Sequence, residues 1–258
     1  MRESPDDAYF VKIEETLVGR KAGRTAADKA RKLRVADPLG ALASRLLRSN
    51  TDERAWSKGA HGEMFVGWLL KRLPEGWHLF NDIPVGRRGA NIDHLIVCPA
   101  GVFTLNTKNL RGKVRVSPRT LRVNGSRKDF LPKARAEAER AARLLGAALG
   151  RPVAVRGVLV IIADEFEIKE LPEDVHVGSP RGVKRWLLDL PPALTSREVT
   201  EIAGVAHKPE TWTERRRAGD SCPCGGELVL RTRRSDRSPF LGCSLFPKCR
   251  QTWPLREA

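Results

Sequence analysis

No apolar run in this sequence is longer than the six residues Val158–Ala163. A helix that crosses a bilayer needs about 20 apolar residues, so no membrane span is expected. The opening residues, MRESPDDAYF, are acidic and polar. They lack the apolar stretch of a secretory signal, and the expectation is a cytoplasmic protein. Glutamine is almost missing, with Gln251 the single example. Internal repeats are absent. Cysteine is scarce outside the tail: four of the five lie in the last 37 residues, and Cys98 stands alone. Cys98 follows Leu95-Ile96-Val97 and reads as a small buried hydrophobe. In a cytoplasmic chain, clustered cysteines are metal ligands more often than disulfides. With 41% hydrophobic and 30% charged residues, the composition excludes wholesale disorder and a collagen-like chain. A length of 258 residues suits one sizeable domain plus something small.

Acids are also missing from one stretch. Residues 107–156 hold fourteen basic and three acidic residues, a net +11 out of +16 for the whole chain. The next segment, 157–213, is net −4. Arginine outnumbers lysine, as GC-rich coding would give, but coding bias does not remove acids from one segment. A concentrated basic stretch reads as a phosphate-binding surface. Arg111, Lys113, Arg115 and Arg122 are its candidate contacts.

Residues 1–55 read as a peripheral helical arm, with Thr25 or Asp28 as N-cap of a basic helix and a second helix after Pro38. In 56–73, Phe65, Val66, Leu69, Leu70 and Leu73 recur at helical spacing up to Pro74. Three strand-like runs follow at 77–85, 92–98 and 102–108, with Pro99-Ala100-Gly101 as a tight turn. A hairpin is expected over 113–117 and 120–124, a long helix over 132–149, and a buried strand over 153–163. A short strand near 174–177 and helices near 180–188 and 195–205 complete 56–206. This order predicts a mixed α/β domain with a sheet flanked by helices. Residues 207–220 are polar and aperiodic, and read as a linker. From 221 the chain is too short to bury much core, so a staple is expected.

The tail supplies one. Cys222 and Cys224, then 18 residues, then Cys243 and Cys249 can close a tetrahedral zinc site with four thiolates. Residues 227–232 and 238–243 look like two strands of a ribbon. Phe240, Leu241, Gly242, Cys243, Ser244, Phe246, Pro247 and Cys249 follow the pattern F-x-G-C-s-x-y-P-x-C. The tail therefore resembles the C-terminal zinc finger of type IA DNA topoisomerases. Its first knuckle departs from the family, being Cys-x-Cys and not Cys-x-x-Cys. The resemblance implies contact with single-stranded DNA. Arg231, Arg233, Arg234, Phe240, Phe246 and Trp253 would supply charge and stacking faces.

A second string of motifs lies upstream: Gly59-Ala60-His61-Gly62-Glu63, then Asn91-Ile92-Asp93-His94, then Gly101-Val102-Phe103-Thr104-Leu105-Asn106-Thr107-Lys108. In order and type, these are similar to the nuclease-related (NERD) domain, a member of the restriction-endonuclease-like nucleases. The resemblance covers about 56–165. It implies a helix glutamate at Glu63, a metal-binding aspartate at Asp93 and a catalytic lysine at Lys108. Where the family carries a second carboxylate, this chain has Asn106.

The chemistry explains the company these residues keep. Phosphodiester hydrolysis uses a divalent metal on carboxylate oxygens, here Mg2+ or Mn2+, and a cation beside the developing charge. Alternation along a strand turns Val102, Thr104, Asn106 and Lys108 to one side. Asp93 would be the main ligand, with Glu63 directly or through water. The Thr107 carbonyl and Asn106 amide oxygen could complete the set, and Lys108 would orient the nucleophile. His61 and His94 are neighbours more in keeping with structural roles. The second-helix glutamine common in this nuclease class is absent. Glu137 or Glu139 could stand nearby, and neither is assigned to the site. The expected function is DNA binding and processing by a metal-dependent nuclease. The rival is an inactive DNA-binding protein that lost its second carboxylate at Asn106. An RNA-binding module is a third reading that charge alone leaves open.

Overall fold

The structure is a computed structural model that describes residues 17, 20–36, 52–85, 90–213, 218–222 and 224–254. The helix expected after Pro38 lies outside the described residues. The chain divides into two compact units, Met1–Trp212 and Thr213–Ala258.

The larger unit is built on a five-stranded sheet in the order β1-β2-β3-β7-β9. Its strands are β1 His78–Val85, β2 Ala90–Cys98, β3 Gly101–Asn109, β7 Val155–Ile162 and β9 Val175–Gly178. The first three run antiparallel, and the two-residue turn Pro99-Ala100 between β2 and β3 can only reverse the chain. From β3 to β7 and β9 the pairing is parallel, which requires the crossover that helix α3, Phe130–Leu149, provides. The parallel pair then bends into a second sheet. There β4 Lys113–Ser117 lies parallel to β8 Glu165–Ile168, with β5 Thr120–Val123 and β6 Ser126–Lys128 beyond. Strands β6 and β8 are short additions to the expected pattern.

Helices cover both faces, as alternation along the strands requires. Val102, Leu95 and Val97 pack with Ala141, Leu144 and Leu145 of α3 and with Val199 and Ile202 of α5, Ser196–Ala206. Ile96, Phe103, Leu105, Val158 and Val160 pack on the other face. Their partners are Val66 and Leu70 of α2, Asp52–Leu70, and Val183 and Leu187 of α4, Pro180–Asp189. Helix α5 starts with a capping box between Thr195 and Glu198.

Three readings of the sequence change here. In the expected N-terminal arm, the described residues 17 and 20–36 are held against the fold. Leu17 is buried in the core, and helix α1, Arg24–Ala36, buries Ala26 and Ala30. The anchor is Asp82, fully buried on β1, which accepts from Arg20 Nη2 at 3.1 Å, the Thr25 hydroxyl at 2.8 Å and Asn91 Nδ2 at 2.6 Å. A buried charge survives only when paired in this way. Thr25 and Asp28 sit inside α1, not at its cap. Second, the polar stretch after 206 is not linker throughout. Pro209–Trp212 make a 3-10 turn, and Trp212 is 2% exposed with its indole N–H donating to the Ala206 carbonyl at 2.8 Å. One large aromatic outweighs the polar residues around it, so 207–212 closes the larger unit. Third, Phe65 is exposed, stacked on Trp68, and outside the buried stripe of α2. The buried face is instead Ala60, Gly62, Glu63, Val66, Gly67 and Leu70.

In the smaller unit β10 Leu228–Thr232, β11 Pro239–Cys243 and β12 Thr252–Pro254 form an antiparallel sheet. Its core is Leu228, Leu241 and Trp253 with the cysteines.

Candidate nuclease and zinc sites

Helix α2 reaches the sheet closely because Gly62 has no side chain. A Cβ there would stand 2.9 Å from Asn109 Cβ. Asn109 Nδ2 donates to the Lys58 carbonyl at 2.9 Å and fixes the helix over the end of β3. Glu63, next to Gly62, is carried inward and is 8% exposed. On β2, Asp93 is 6% exposed and feels the charge of Asp82 on the neighbouring strand β1. Its Oδ2 accepts the Thr107 N–H at 2.7 Å. Asn106, one residue earlier on β3, donates through Nδ2 to Glu137 Oε2 of α3 at 3.1 Å. Lys108 Nζ lies 3.4 Å from the Thr107 carbonyl and 5.6 Å from the centre of the Phe130 ring.

These groups feel one another. Burial pushes Glu63 up to about 8, Asp93 and Asp82 push further, and Lys108 opposes. Asp93 is pushed up to about 6 by burial, against Lys108 and the Thr107 N–H. Glu137, which the sequence left unassigned, is pushed up to about 8 by burial and then by Asp93, against Asn106 and Lys108. Glu139 on the same helix is exposed. Helical phase is the signal that separates the two glutamates. Glu137 is three residues from Ala134 and four from Ala141, both buried, whereas Glu139 is out of step.

The donor set suits a hard divalent cation, which takes carboxylate and carbonyl oxygens. Glu63 Oε2, Asn106 Oδ1 and Glu137 Oε1 are buried without a hydrogen-bond partner among the described residues. The carboxylates are less tightly drawn together than the zinc ligands below. Among the described residues only the four tail cysteines bring three or more Cys, His, Asp or Glu ligand atoms within 4.8 Å of one another. Magnesium keeps several of its own waters, so it does not require such closure. His94 is fully buried, with Nδ1 2.8 Å from Asn81 Oδ1, and burial lowers it to about 3. It is a neutral core imidazole. His61 is exposed.

A pH dependence follows for the protein without added divalent metal. Glu63, Asp93 and Glu137 hold protons more tightly folded than unfolded. Their contribution is present at low pH and is lost as pH rises through about 6 to 8. Buried His94 and half-buried His176 act oppositely, but only below the ordinary histidine value of 6.5. Melting temperature should therefore fall from pH 6.5 to 9, and the fall should shrink in Glu63→Gln and Glu137→Gln. A flat profile would mean these carboxyls titrate normally.

In the smaller unit the four thiols converge. Cys224 Sγ lies 3.3 Å from both Cys222 Sγ and Cys243 Sγ, and Cys222 Sγ lies 3.8 Å from Cys249 Sγ. Zn–S bonds of about 2.3 Å in a tetrahedron place sulfurs about 3.8 Å apart, so the set fits zinc. Gly226 is required for the short first knuckle, since a Cβ there would meet Cys243 Sγ at 2.9 Å. The Gly226 N–H is the main cause that draws Cys224 down to about 7, while burial pushes Cys243 up to about 12.

Residues 58–162 match the nuclease-related domain, and residues 219–258 match the topoisomerase DNA binding C4 zinc finger. One match falls in each compact unit. An uncharacterized protein of Escherichia coli (strain K12), YrdD, is 46% identical over 43 residues. That match covers 16% of this chain and 23% of YrdD, so the chain spans less than a quarter of this relative. No solved structure matches.

The matched residues 58–162 include Glu63, Asp93, Asn106 and Lys108, and also Glu137. Its basic surface is smaller than the charge count implied. Lys113 pairs with Glu165 at 3.0 Å and Glu167 at 3.7 Å, and Arg115 pairs with Glu167 at 3.0 Å. The acidic segment folds back through β8 onto β4, a pairing that linear charge counts miss. Arg111 and Arg122 are exposed, and Arg122 donates to the Gly125 carbonyl at 2.9 Å. Arg119, Arg127 and Lys128 line a shallow groove by Asp129 and Pro132, with no ion pair among the described residues. On the zinc finger, Arg231 stacks over Phe246 at 5.5 Å and Arg233 over Phe240 at 5.4 Å. Phe246 is 57% exposed, and Arg234 is exposed too. Trp253 is not a stacking face, because the small core claims it at 8% exposure.

This ordering of the cations is testable. Replacing Arg111, Arg119, Arg122 and Arg127 by Ala should weaken DNA binding and flatten the salt slope by about 0.9 per lost phosphate contact. Replacing Lys113 and Arg115, already paired, should change the slope less. Equal effects in a salt titration by fluorescence anisotropy would place the DNA elsewhere.

Proposed function

We propose that this protein is a metal-dependent nuclease acting on DNA with single-stranded character in the cytoplasm. Residues up to Trp212 would cleave, and the zinc finger would hold the strand. The observation that carries this reading is the burial of Glu63 and Asp93 side by side, with Lys108 as neighbouring cation. Buried carboxylates whose oxygens lack donors are costly unless a cation joins them. Magnesium or manganese, when bound, would polarise the phosphate and acidify the attacking water. Asp93 is preset for such a role, since the Thr107 N–H fixes its Oδ2. Glu63 would ligate directly or through water. Lys108 would stabilise charge on the phosphate and orient the nucleophile. Exposed Phe246, backed by Arg231, offers a base a stacking surface.

The test is cleavage of labelled single-stranded, duplex and branched DNA with Mg2+ or Mn2+. Metal-dependent cutting, strongest on substrates with unpaired strands, is the expected result. One observation favours the rival, an inactive DNA-binding protein: Asn106 stands where the family has a carboxylate. Salt-sensitive binding without cutting under any metal would establish that rival.

A further inference from the structure

Resting on the nuclease reading, we infer that Glu137 is a divalent-metal ligand that replaces the carboxylate missing at Asn106, and that Asn106 holds it in place. On β3, Asn106 shares a face with Val102, and that face is covered by α3 through Ala141, Leu144 and Leu145. Glu137 belongs to the covered side of α3, so it delivers its carboxylate to the side where a strand carboxylate at 106 would have stood. The Asn106 amide divides its two ends. Its Nδ2 donates to Glu137 Oε2 at 3.1 Å, which leaves Glu137 Oε1 and Asn106 Oδ1 as buried acceptors. Neither has a hydrogen-bond partner among the described residues.

Glu63 gives an independent indication. It comes from α2, is 8% exposed, and its Oε2 also lacks a partner. Asp93 is the common electrostatic neighbour of Glu63 and Glu137. The oxygens of Glu63, Asp93 and Glu137 do not all lie within 4.8 Å of one another, so Glu137 Oε1 and Asn106 Oδ1 form the nearer donor-free pair and Glu63 would act through water. Lys108 does not satisfy them, since its ammonium is directed to the Thr107 carbonyl at 3.4 Å. The charge lost at Asn106 is therefore restored from the helix.

This arrangement changes the meaning of Asn106→Glu. Taken by itself, a carboxylate at 106 would add negative charge beside Asp93 and tighten the metal. With Glu137 already there, it replaces an N–H···O contact by two facing carboxylates. The exchange Asn106→Glu with Glu137→Gln keeps one carboxylate and one amide.

The experiment is Mn2+ binding to zinc-loaded full-length protein, read by electron paramagnetic resonance, with circular dichroism as a folding check. Glu137→Gln should weaken Mn2+ binding by at least about tenfold. The exchange variant should recover most of that loss, and Glu139→Gln should change nothing. Should Glu137→Gln fail to fold, Glu137→Asp carries the same test by withdrawing the carboxylate one carbon. If Glu137→Gln and Glu137→Asp bind Mn2+ like wild type while Asp93→Asn does not, the inference falls and the nuclease reading stands. If wild type binds no Mn2+ and cuts no DNA, the nuclease reading falls and takes the inference with it.

Discussion

Asp93→Asn and Lys108→Ala should each lower metal-dependent DNA cleavage by at least about a hundredfold. Asp93 stands at the electrostatic centre of the cluster. Burial and Asp82 raise its proton affinity, and Lys108 and the Thr107 N–H lower it again. Asparagine would keep the hydrogen bond from Thr107 through its oxygen but lose the charge, so folding should persist while metal affinity collapses. Lys108 acts on the whole set, since it lowers the proton affinity of Glu63, Asp93 and Glu137 together. Its removal should weaken metal binding as well as the chemical step. Single-turnover cleavage and Mn2+ binding separate the two variants. Asp93→Asn should lose both, whereas Lys108→Ala should lose more in rate than in binding. DNA affinity should move little in either. Unchanged cleavage in both variants would remove this cluster from the reaction.

Zinc removal should have the second large effect, confined to the smaller unit. Leu228, Leu241 and Trp253 are a thin core for Thr213–Ala258, and three short strands cannot offset the ordering entropy of the chain. Structural zinc contributes about 10–16 kcal/mol at neutral pH in finger peptides, more than this core can replace. Purified protein should hold about one zinc by elemental analysis. Cys243→Ser should lose it, open the tail to limited proteolysis, and leave Met1–Trp212 resistant. DNA affinity should fall with the finger. A zinc-free protein whose tail resists protease would show that the sheet stands on its own core.

The sequence by itself determined the alternation of β1 to β3, the crossover helix, and the cysteine spacing, because period, turn chemistry and ligand pairs are local properties. It also placed Glu63, Asp93, Asn106 and Lys108 as one candidate set through their ordered motifs. What it could not reveal was what approaches from a distance. Asp82 draws the N-terminal segment into the fold through Arg20 and Thr25, some sixty residues away in the chain. Trp212 closes the larger unit from within a polar stretch, and Trp253 is taken from the DNA-facing set into a core. Lys113 and Arg115 lose their freedom to Glu165 and Glu167 when β8 pairs with β4. Glu137 was half legible. Its helical phase marks it as inward-facing, but only the packing of α3 on β3 brings it to Asn106, 31 residues earlier. Burial and charge pairing are sums over three-dimensional neighbours, so these contacts belong to the tertiary structure alone.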